Sequence, residues 1–139
     1  MKIEPCASAE QPGWLRLRQA LWPEAGRDEH LLEMASFVAD ARRYGQFLAY
    51  SPSHEAIGLA EVSLRGDHAF LDGLYVVPQA RRKGVATALV AAACEWARQA
   101  GCREIASDAV LENSISHVVH RALGFEETER VVFFRRKLA

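Results

Sequence analysis

The sequence predicts an α/β or α+β fold in which helices flank a mixed, mostly antiparallel sheet. Helical and strand periodicities alternate along the chain, and glycine and proline separate the segments. A strand, a basic loop and a helix follow one another at 74–90. The 139 residues are 50% hydrophobic and 25% charged, which suits one soluble globular domain spanning 1–139.

Strands are predicted where aliphatic, β-branched and aromatic residues form short runs between turn residues. These runs are 2–6, 46–50, 56–64, 69–77 and 104–107, followed by a final hairpin made of Phe125 and 131–135. Gly66-Asp67 supplies a short hairpin turn between the third and fourth runs.

Helices are predicted where apolar residues recur every three or four positions. The four segments run from a Ser8 cap to Trp22, from Asp28 toward Gly45, over 85–99, and over 112–123. Gln11 would complete a capping box with Ser8, and Leu31, Leu32, Ala35 and Val38 would supply the apolar face of the second helix. The element order is therefore β-α-α-β-β-β-α-β-α-β-β, which predicts a layered fold around one sheet.

The stretch at 74–90 combines the features of an anion-binding site. The apolar run 74–77 ends at Pro78, three cations follow at 81–83, and Gly84 precedes a helical pattern. The first turn of a helix offers unpaired N–H groups and the positive end of the dipole, and phosphates bind there. An ordinary turn with a solvated basic tip fits the same residues, and physical chemistry alone leaves both interpretations open.

Composition argues against several other classes of protein. The formal net charge of −1 gives no reason to expect nucleic-acid or membrane binding. No apolar run approaches the roughly 20 residues that span a bilayer, and 1–5 has no signal-peptide core. Cys6, Cys94 and Cys102 fit reduced thiols in a cytoplasmic protein, and His117 with His120 lacks a third ligand, so no metal is predicted.

The Arg81-x-x-Gly84-x-Ala86 pattern after Val-Val-Pro resembles the acetyl-CoA signature of the GCN5-related N-acetyltransferases (GNAT). The resemblance covers essentially the whole chain and implies the GNAT fold, with acetyl-CoA as co-substrate. It implies that the loop holds the CoA pyrophosphate through backbone amides and that the preceding strand pairs with pantetheine. The implied cofactor contacts are Leu74, Tyr75, Val76, Arg81, Arg82, Lys83, Gly84, Val85, Ala86, Thr87 and Asn113.

Three further roles follow from the family resemblance. The backbone N–H of Val76 would stabilise the tetrahedral oxyanion. Asn113, early in the penultimate helix, would touch the pantetheine or acetyl end, although an asparagine there can equally cap the helix. His120 stands where the family usually has a tyrosine that protonates the departing thiolate, so it is the candidate acid, and a surface or capping histidine is the alternative.

Four longer matches resemble one branch of the family, the aminoglycoside 6'-N-acetyltransferases. They are Leu-Trp-Pro at 21–23, Phe-Leu-Asp-Gly at 70–73, and two longer segments at 101–108 and 124–131. This branch implies a cytoplasmic homodimer that acetylates the 6'-amine of antibiotics such as kanamycin, tobramycin or amikacin.

The substrate contacts implied by the branch are mostly acidic, which suits a polycationic aminoglycoside. They are Trp22, His68, Asp72, Asp108 and Glu129, with Asp72 as the acceptor of the amine proton. Each also has a structural interpretation: Asp108 as a turn residue, Glu129 as a solvated charge, and Trp22 as a core residue. His68 lies at the end of a hairpin, 66–69, that is shorter than in the branch.

The shortened hairpin leaves two alternatives open. The acceptor could be a different amine, such as a polyamine, another small amine or a protein N-terminus. The second alternative is an acetyl-CoA-binding module without turnover, because a histidine replaces the usual tyrosine at position 120.

Overall fold

The computed structural model describes residues 1–109 and 113–138 of the chain. These residues fall into two units, Met1–Ser107 and Asp108–Ala139. The first unit contains the whole of the described sheet and three helices, and the second contains one helix. All residues that form the basic loop and the central strand therefore belong to the first unit.

The first unit is built on a five-stranded mixed sheet, as the sequence predicts. The strands are β1 Lys2–Pro5, β2 Tyr44–Tyr50, β3 Ala56–Arg65, β4 His68–Val76 and β5 Ile105–Ala106. They lie in the order β1-β2-β3-β4-β5. The first three pairings are antiparallel, and β5 runs parallel to β4.

The helices also follow the predicted order. They are α1 Trp14–Leu21, α2 Arg27–Ala39, α3 Val85–Gln99 and α4 Ser114–Ala122, and a 3-10 turn spans Pro78–Ala80. Trp22 ends α1 just before Pro23, since a residue that precedes proline disfavours helical geometry. The predicted start of the last helix at residue 112 lies outside the described residues.

The packing of α3 on the sheet fixes the start of that helix. Its buried side chains are Val85, Leu89, Val90, Ala93 and Ala97. A Cβ at position 58 on β3 would lie 2.8 Å from Cδ1 of Leu89 and 2.9 Å from Cγ1 of Val85, so glycine is required for this close approach. The sheet thereby fixes the first turn of α3.

The predicted boundaries of α1 and α2 are partly wrong. Ser8 does not cap α1, because its hydroxyl accepts from the Glu10 N–H in a separate turn and Gly13 is the N-cap of the helix. The second helix ends at Ala39, well before Gly45, because Asp40 leaves helical geometry.

The buried side of α2 also differs from the prediction. Its fully buried side chains are His30 and Met34, whereas Leu32 is 73% exposed. His30 is polar, but it can be buried because it has a buried hydrogen-bond partner. The spacing of apolar residues, on which the prediction was based, does not reveal such partners.

The predicted final hairpin is not formed. Residues 125–138, all of them described, contain no strand, and the apolar side chains at 131–134 are between 52% and 92% exposed. A strand needs a hydrogen-bonded partner, and in the described part of this unit the regular structure is α4 alone. A strand-like composition is therefore not enough to form a strand in this segment.

Candidate functional site

The basic loop at 81–84 has the features of an anion-binding site at the start of α3, and we call it the anion cradle. Gly84 is the N-cap of this 15-residue helix at φ 80°, and no side chain caps the first turn. Arg82 also has a positive φ, 63°, which turns the chain sharply before the helix. The exposed cations at 81–83 thus come directly before the unpaired N–H groups of the first turn.

Arg81 connects this loop to the central strand. Its Nε donates to the carbonyl of Val76 over 2.9 Å, and its guanidinium lies 5.9 Å from the ring centroid of Tyr75. Val85, by contrast, is buried, so only its backbone can face a ligand. The structure therefore brings together the predicted loop and strand residues.

The C-terminal half of β4 has an open edge. Val77 N–H donates to Ile57 on β3 over 2.9 Å, and because N–H groups alternate in direction along a strand, the Val76 N–H points to the opposite side. On that side β5 pairs only with Ala69 and Phe70 in the described sheet. The N–H of Val76 is consequently available to a ligand that adds itself as an extended strand, whereas the carbonyl of the same residue accepts from Arg81.

Asp72 is the extra residue of a β-bulge. Val62 pairs with Leu71 and the preceding Glu61 pairs with Gly73, so Asp72 has no partner on β3. Bulges redirect side chains and occur often beside active sites. Leu71 and Gly73 are buried, whereas the side chain of Asp72 is 28% exposed, which leaves its carboxylate accessible next to the open edge of β4.

The Asp72 carboxylate has a cationic partner across the hairpin. Arg65 Nη2 lies 2.7 Å from its Oδ1, and the same guanidinium lies 3.8 Å from the ring centroid of Phe70. His68 opposes Arg65 in the β3–β4 register, and its Nδ1 is 3.4 Å from Oδ1 of Asp67.

Trp22 packs directly against the strand that carries Asp72. A Cβ at position 73 would lie 2.6 Å from Cη2 of the indole, so only glycine leaves room for the ring. The Arg18 guanidinium lies 4.8 Å from the same ring. Trp22, one predicted substrate contact, therefore packs against the residue that follows Asp72, another predicted contact.

Trp22 also lines a cleft of about 440 Å³ between α1 and α2. The other lining residues, most of them polar or charged, are Arg18, Glu24, Ala25, Glu29, His30 and Glu33. Three of them are glutamates, of which Glu33 pairs with Arg18, so the lining carries a net negative charge.

A buried polar network holds this region in place. Arg18 Nη1 donates to Glu61 Oε1 over 2.5 Å, and Trp14 Nε1 donates to Glu61 Oε2 over 2.9 Å. Arg18 Nε donates to His30 Nδ1 over 3.1 Å, and His30 Nε2 lies 3.2 Å from the Trp22 carbonyl and donates to it. Burial raises the pKa of Glu61, and the Arg18 guanidinium opposes that rise.

The second unit contains the remaining predicted residues. Asn113 is the N-cap of α4, with Oδ1 accepting from Ser116 N over 3.0 Å, which is the capping role that the sequence left open. His120 lies on α4 with Nδ1 2.7 Å from the Ser116 carbonyl, so Nδ1 carries a proton. Asp108 and Glu129 are exposed.

Several residues of this region are absent from the sequence-based set. Arg65 contacts Asp72, and Arg18 and Gly73 contact Trp22, whereas Glu61 binds Arg18. A lone glycine within a strand signals close approach, and this signal is present at Gly73. Trp14, Arg18 and Trp22 are four residues apart, a spacing that places them on one side of α1.

Other candidate chemistries find no support in the structure. Burial raises the pKa of the Cys6 thiol, so it stays protonated and poorly nucleophilic. Residues 1–109 and 113–138 contain no cluster of three or more side chains suited to a metal ion. No helix in these segments combines the length and apolar character that crossing a bilayer demands.

Comparison with known proteins identifies one family. A model of the acetyltransferase (GNAT) family matches residues 12–125. The aminoglycoside N(6')-acetyltransferase type 1 of Acinetobacter baumannii is 44% identical over 99% of this chain and 99% of its own length. The protein of the same name from Stenotrophomonas maltophilia is 46% identical over 98% of this chain and 93% of its own.

Solved structures agree with these relatives. The apo aminoglycoside 6'-N-acetyltransferase AAC(6')-IG from Acinetobacter haemolyticus has a TM-score of 0.90 at 44% identity, covering 100% of both chains. AAC(6')-Iy in complex with the bisubstrate analog CoA-S-monomethyl-acetylneamine has a TM-score of 0.90 at 40% identity, covering 98% of this chain and 97% of that one.

The contact between Trp22 and Gly73 can be tested by a double-mutant cycle. We expect Gly73→Ala to lower the free energy of unfolding in urea by about 1–3 kcal/mol, because the new methyl group overlaps the indole. In a Trp22→Ala background the same change should cost less than half as much. Equal costs in the two backgrounds would show that the glycine is required for some other reason.

Proposed function

The chain belongs to the GNAT acetyltransferase family, and we propose that it transfers acetyl from acetyl-CoA to the 6'-amine of an aminoglycoside. The observation that carries this proposal is an anion cradle at one end of β4 together with an accessible carboxylate at a bulge in the same strand. The full-length similarity to aminoglycoside N(6')-acetyltransferases supports the choice of acceptor.

In this proposal the loop and the strand hold acetyl-CoA. The backbone N–H groups of 84–87 bind the pyrophosphate, and Arg82 and Lys83 add positive charge. The pantetheine arm pairs with the open edge of β4 at 74–76. Asn113 contacts the pantetheine or acetyl end, a role that rests on the family resemblance.

The chemistry is a direct acyl transfer. Asp72 accepts a proton from the ammonium group, directly or through water, so that the neutral amine attacks the thioester carbonyl carbon. The Val76 N–H stabilises the tetrahedral oxyanion. The intermediate, which already contains the new C–N bond, collapses with cleavage of the C–S bond. The nitrogen loses its second proton, the CoA thiolate takes up one proton, and the proton on Asp72 passes to solvent. The proposed route needs no acyl-enzyme, because the amine attacks the thioester directly.

His120 is the proposed source of the proton for the thiolate. Since Nδ1 donates to the Ser116 carbonyl, a neutral ring has no proton on Nε2. The ring must be an imidazolium before it can serve as the acid, and water is the alternative donor.

Acidic and aromatic side chains bind the amino sugar. Trp22 packs against a sugar ring, and Asp108 and Glu129 bind ammonium or hydroxyl groups. His68 lies at the rim formed by the 66–69 hairpin. These contacts suit a polycation rich in hydroxyl groups.

We further propose that the chain works as one 1–139 domain in a cytoplasmic homodimer, as the aminoglycoside branch implies. Sedimentation equilibrium of the purified protein measures its mass directly. A mass equal to one 15.4 kDa chain at micromolar concentration would contradict the dimer.

A different amine acceptor is favoured by one observation. The β3–β4 hairpin closes immediately after the Arg65–His68 pair through Gly66 and Asp67, so the substrate rim is short. A polyamine or a peptide N-terminus needs less surrounding surface than an aminoglycoside. Higher kcat/KM with spermidine or a peptide than with any aminoglycoside would favour this acceptor.

Turnover and the role of Asp72 can be measured in one assay. We expect CoA release from acetyl-CoA with kanamycin or tobramycin, detected with a thiol reagent. Asp72→Asn should lower kcat by about 10²–10⁴-fold, because the amide cannot accept the amine proton. Acetyl-CoA affinity, measured by calorimetry, should not change. Binding of acetyl-CoA without turnover on any aminoglycoside would reject the proposed acceptor.

The cofactor loop can be tested at Gly84. We expect Gly84→Val to raise the acetyl-CoA dissociation constant by about tenfold or more, since a β-branched residue costs roughly 1–2 kcal/mol at positive φ and its side chain obstructs the pyrophosphate. Calorimetry on the folded variant gives the affinity.

Gly101→Val is the matched control for this substitution. Gly101 follows the other end of α3 and also has a positive φ, 89°, and, as at Gly84, a Cβ added there would have no other atom within 4 Å. The control variant should lose similar stability and keep its acetyl-CoA affinity. Equal loss of affinity in both variants would contradict the loop assignment.

A further inference from the structure

The carboxylate proposed to receive the substrate amine is already paired with a cation. Arg65 Nη2 lies 2.7 Å from Asp72 Oδ1, at hydrogen-bond distance. The two side chains are 53% and 28% exposed, so water and ligands reach the pair. An incoming ammonium group would therefore meet a carboxylate whose charge is balanced.

Arg65 is held in this position by two features of the hairpin. Its guanidinium lies 3.8 Å from the ring centroid of Phe70, within cation–π range. It is also the last residue of β3 and pairs with His68 across a two-residue turn, which limits the movement of its backbone. The guanidinium thus stays near Asp72 through contacts that do not involve the carboxylate.

We propose that Arg65 is a specificity-determining residue that occupies the ammonium position at Asp72 and must be displaced by the substrate amine. This inference rests on the proposed function. Displacement is feasible because exposed ion pairs are weak, and they shift an equilibrium by only about 1.5- to 5-fold. Released Arg65 keeps its contact with Phe70, so it moves aside without losing every partner.

The arrangement discriminates between chemical groups at the 6' position. An ammonium group replaces the guanidinium charge for charge, whereas a hydroxyl group offers no positive charge to the carboxylate. Arg65 therefore competes with an amine but not with an alcohol at Asp72, so it narrows the difference in affinity between the two groups.

The test compares Arg65→Gln with Arg98→Gln. Arg98 forms a more exposed ion pair with Glu95 on α3, and its replacement by glutamine changes the net charge by the same amount. We expect the KM for tobramycin to fall about two- to fivefold in Arg65→Gln, with kcat unchanged, and to stay constant in Arg98→Gln. Arg65→Lys, which keeps the charge, should behave like the unsubstituted protein.

Calorimetry with two congeners isolates the interaction at the 6' position. Neomycin carries a 6'-amine and paromomycin a 6'-hydroxyl. Arg65→Gln should strengthen neomycin binding about two- to fivefold and change paromomycin binding by less.

An unchanged or weakened affinity for neomycin in Arg65→Gln, or an equal gain for both congeners, would overturn the inference. Absence of turnover on every aminoglycoside would reject the proposed acceptor instead, and the calorimetric comparison would still decide the role of Arg65.

Discussion

The buried ion pair between Arg18 and Glu61 is the interaction on which the first unit depends. It joins α1 to β3, and both side chains are almost fully buried. Removing one partner of such a pair leaves an uncompensated charge and typically costs about 3–5 kcal/mol. Trp14 and His30 bind the same pair, so the positions of α1, α2 and the indole of Trp22 all follow from it.

One strand carries most of the proposed chemistry. The bulge in β4 exposes Asp72. The next residue, Gly73, leaves room for the indole of Trp22, and the residues after it form an open edge of the sheet. The same strand leads through the 3-10 turn into the anion cradle. Because Asp72, the open edge and the loop lie within a few residues of one another along the chain, their relative positions are set by local backbone geometry.

Local chemistry explains why much of this region can be predicted from the sequence. Pro78, the cations at 81–83 and Gly84 act through short-range effects, and the strand, loop and helix around them are where the sequence places them. The two-residue turn at Gly66 and the glycine ends of α3 and α4 are equally local. The short segments that resemble the aminoglycoside branch include Trp22 and Asp72, and Trp22 packs against Gly73, the residue after Asp72.

What cannot be predicted depends on partners distant in sequence. The sequence around Arg18 does not indicate that this residue forms a buried ion pair with Glu61, 43 residues away. The inward side of α2 differs from the prediction for the same reason, since His30 is inside because of Arg18. Composition predicts a final hairpin, but a strand exists only where another strand supplies its hydrogen bonds. Arg65 is part of a recognisable hairpin, yet its contact with Asp72 arises only after the strands pair.

The tight turn at 66–67 has a consequence for how this enzyme scaffold diversifies. Insertions at a hairpin tip cost little, because the closure entropy of a surface loop grows slowly with its length. Insertions there also leave the β3–β4 strand pairing intact, from the Arg65–His68 pair to the Gly58–Val76 pair. Loop length can therefore vary between lineages while the strand and loop proposed to hold the acyl donor remain untouched, which makes the proposed acceptor preference and the proposed acetyl transfer separately evolvable traits.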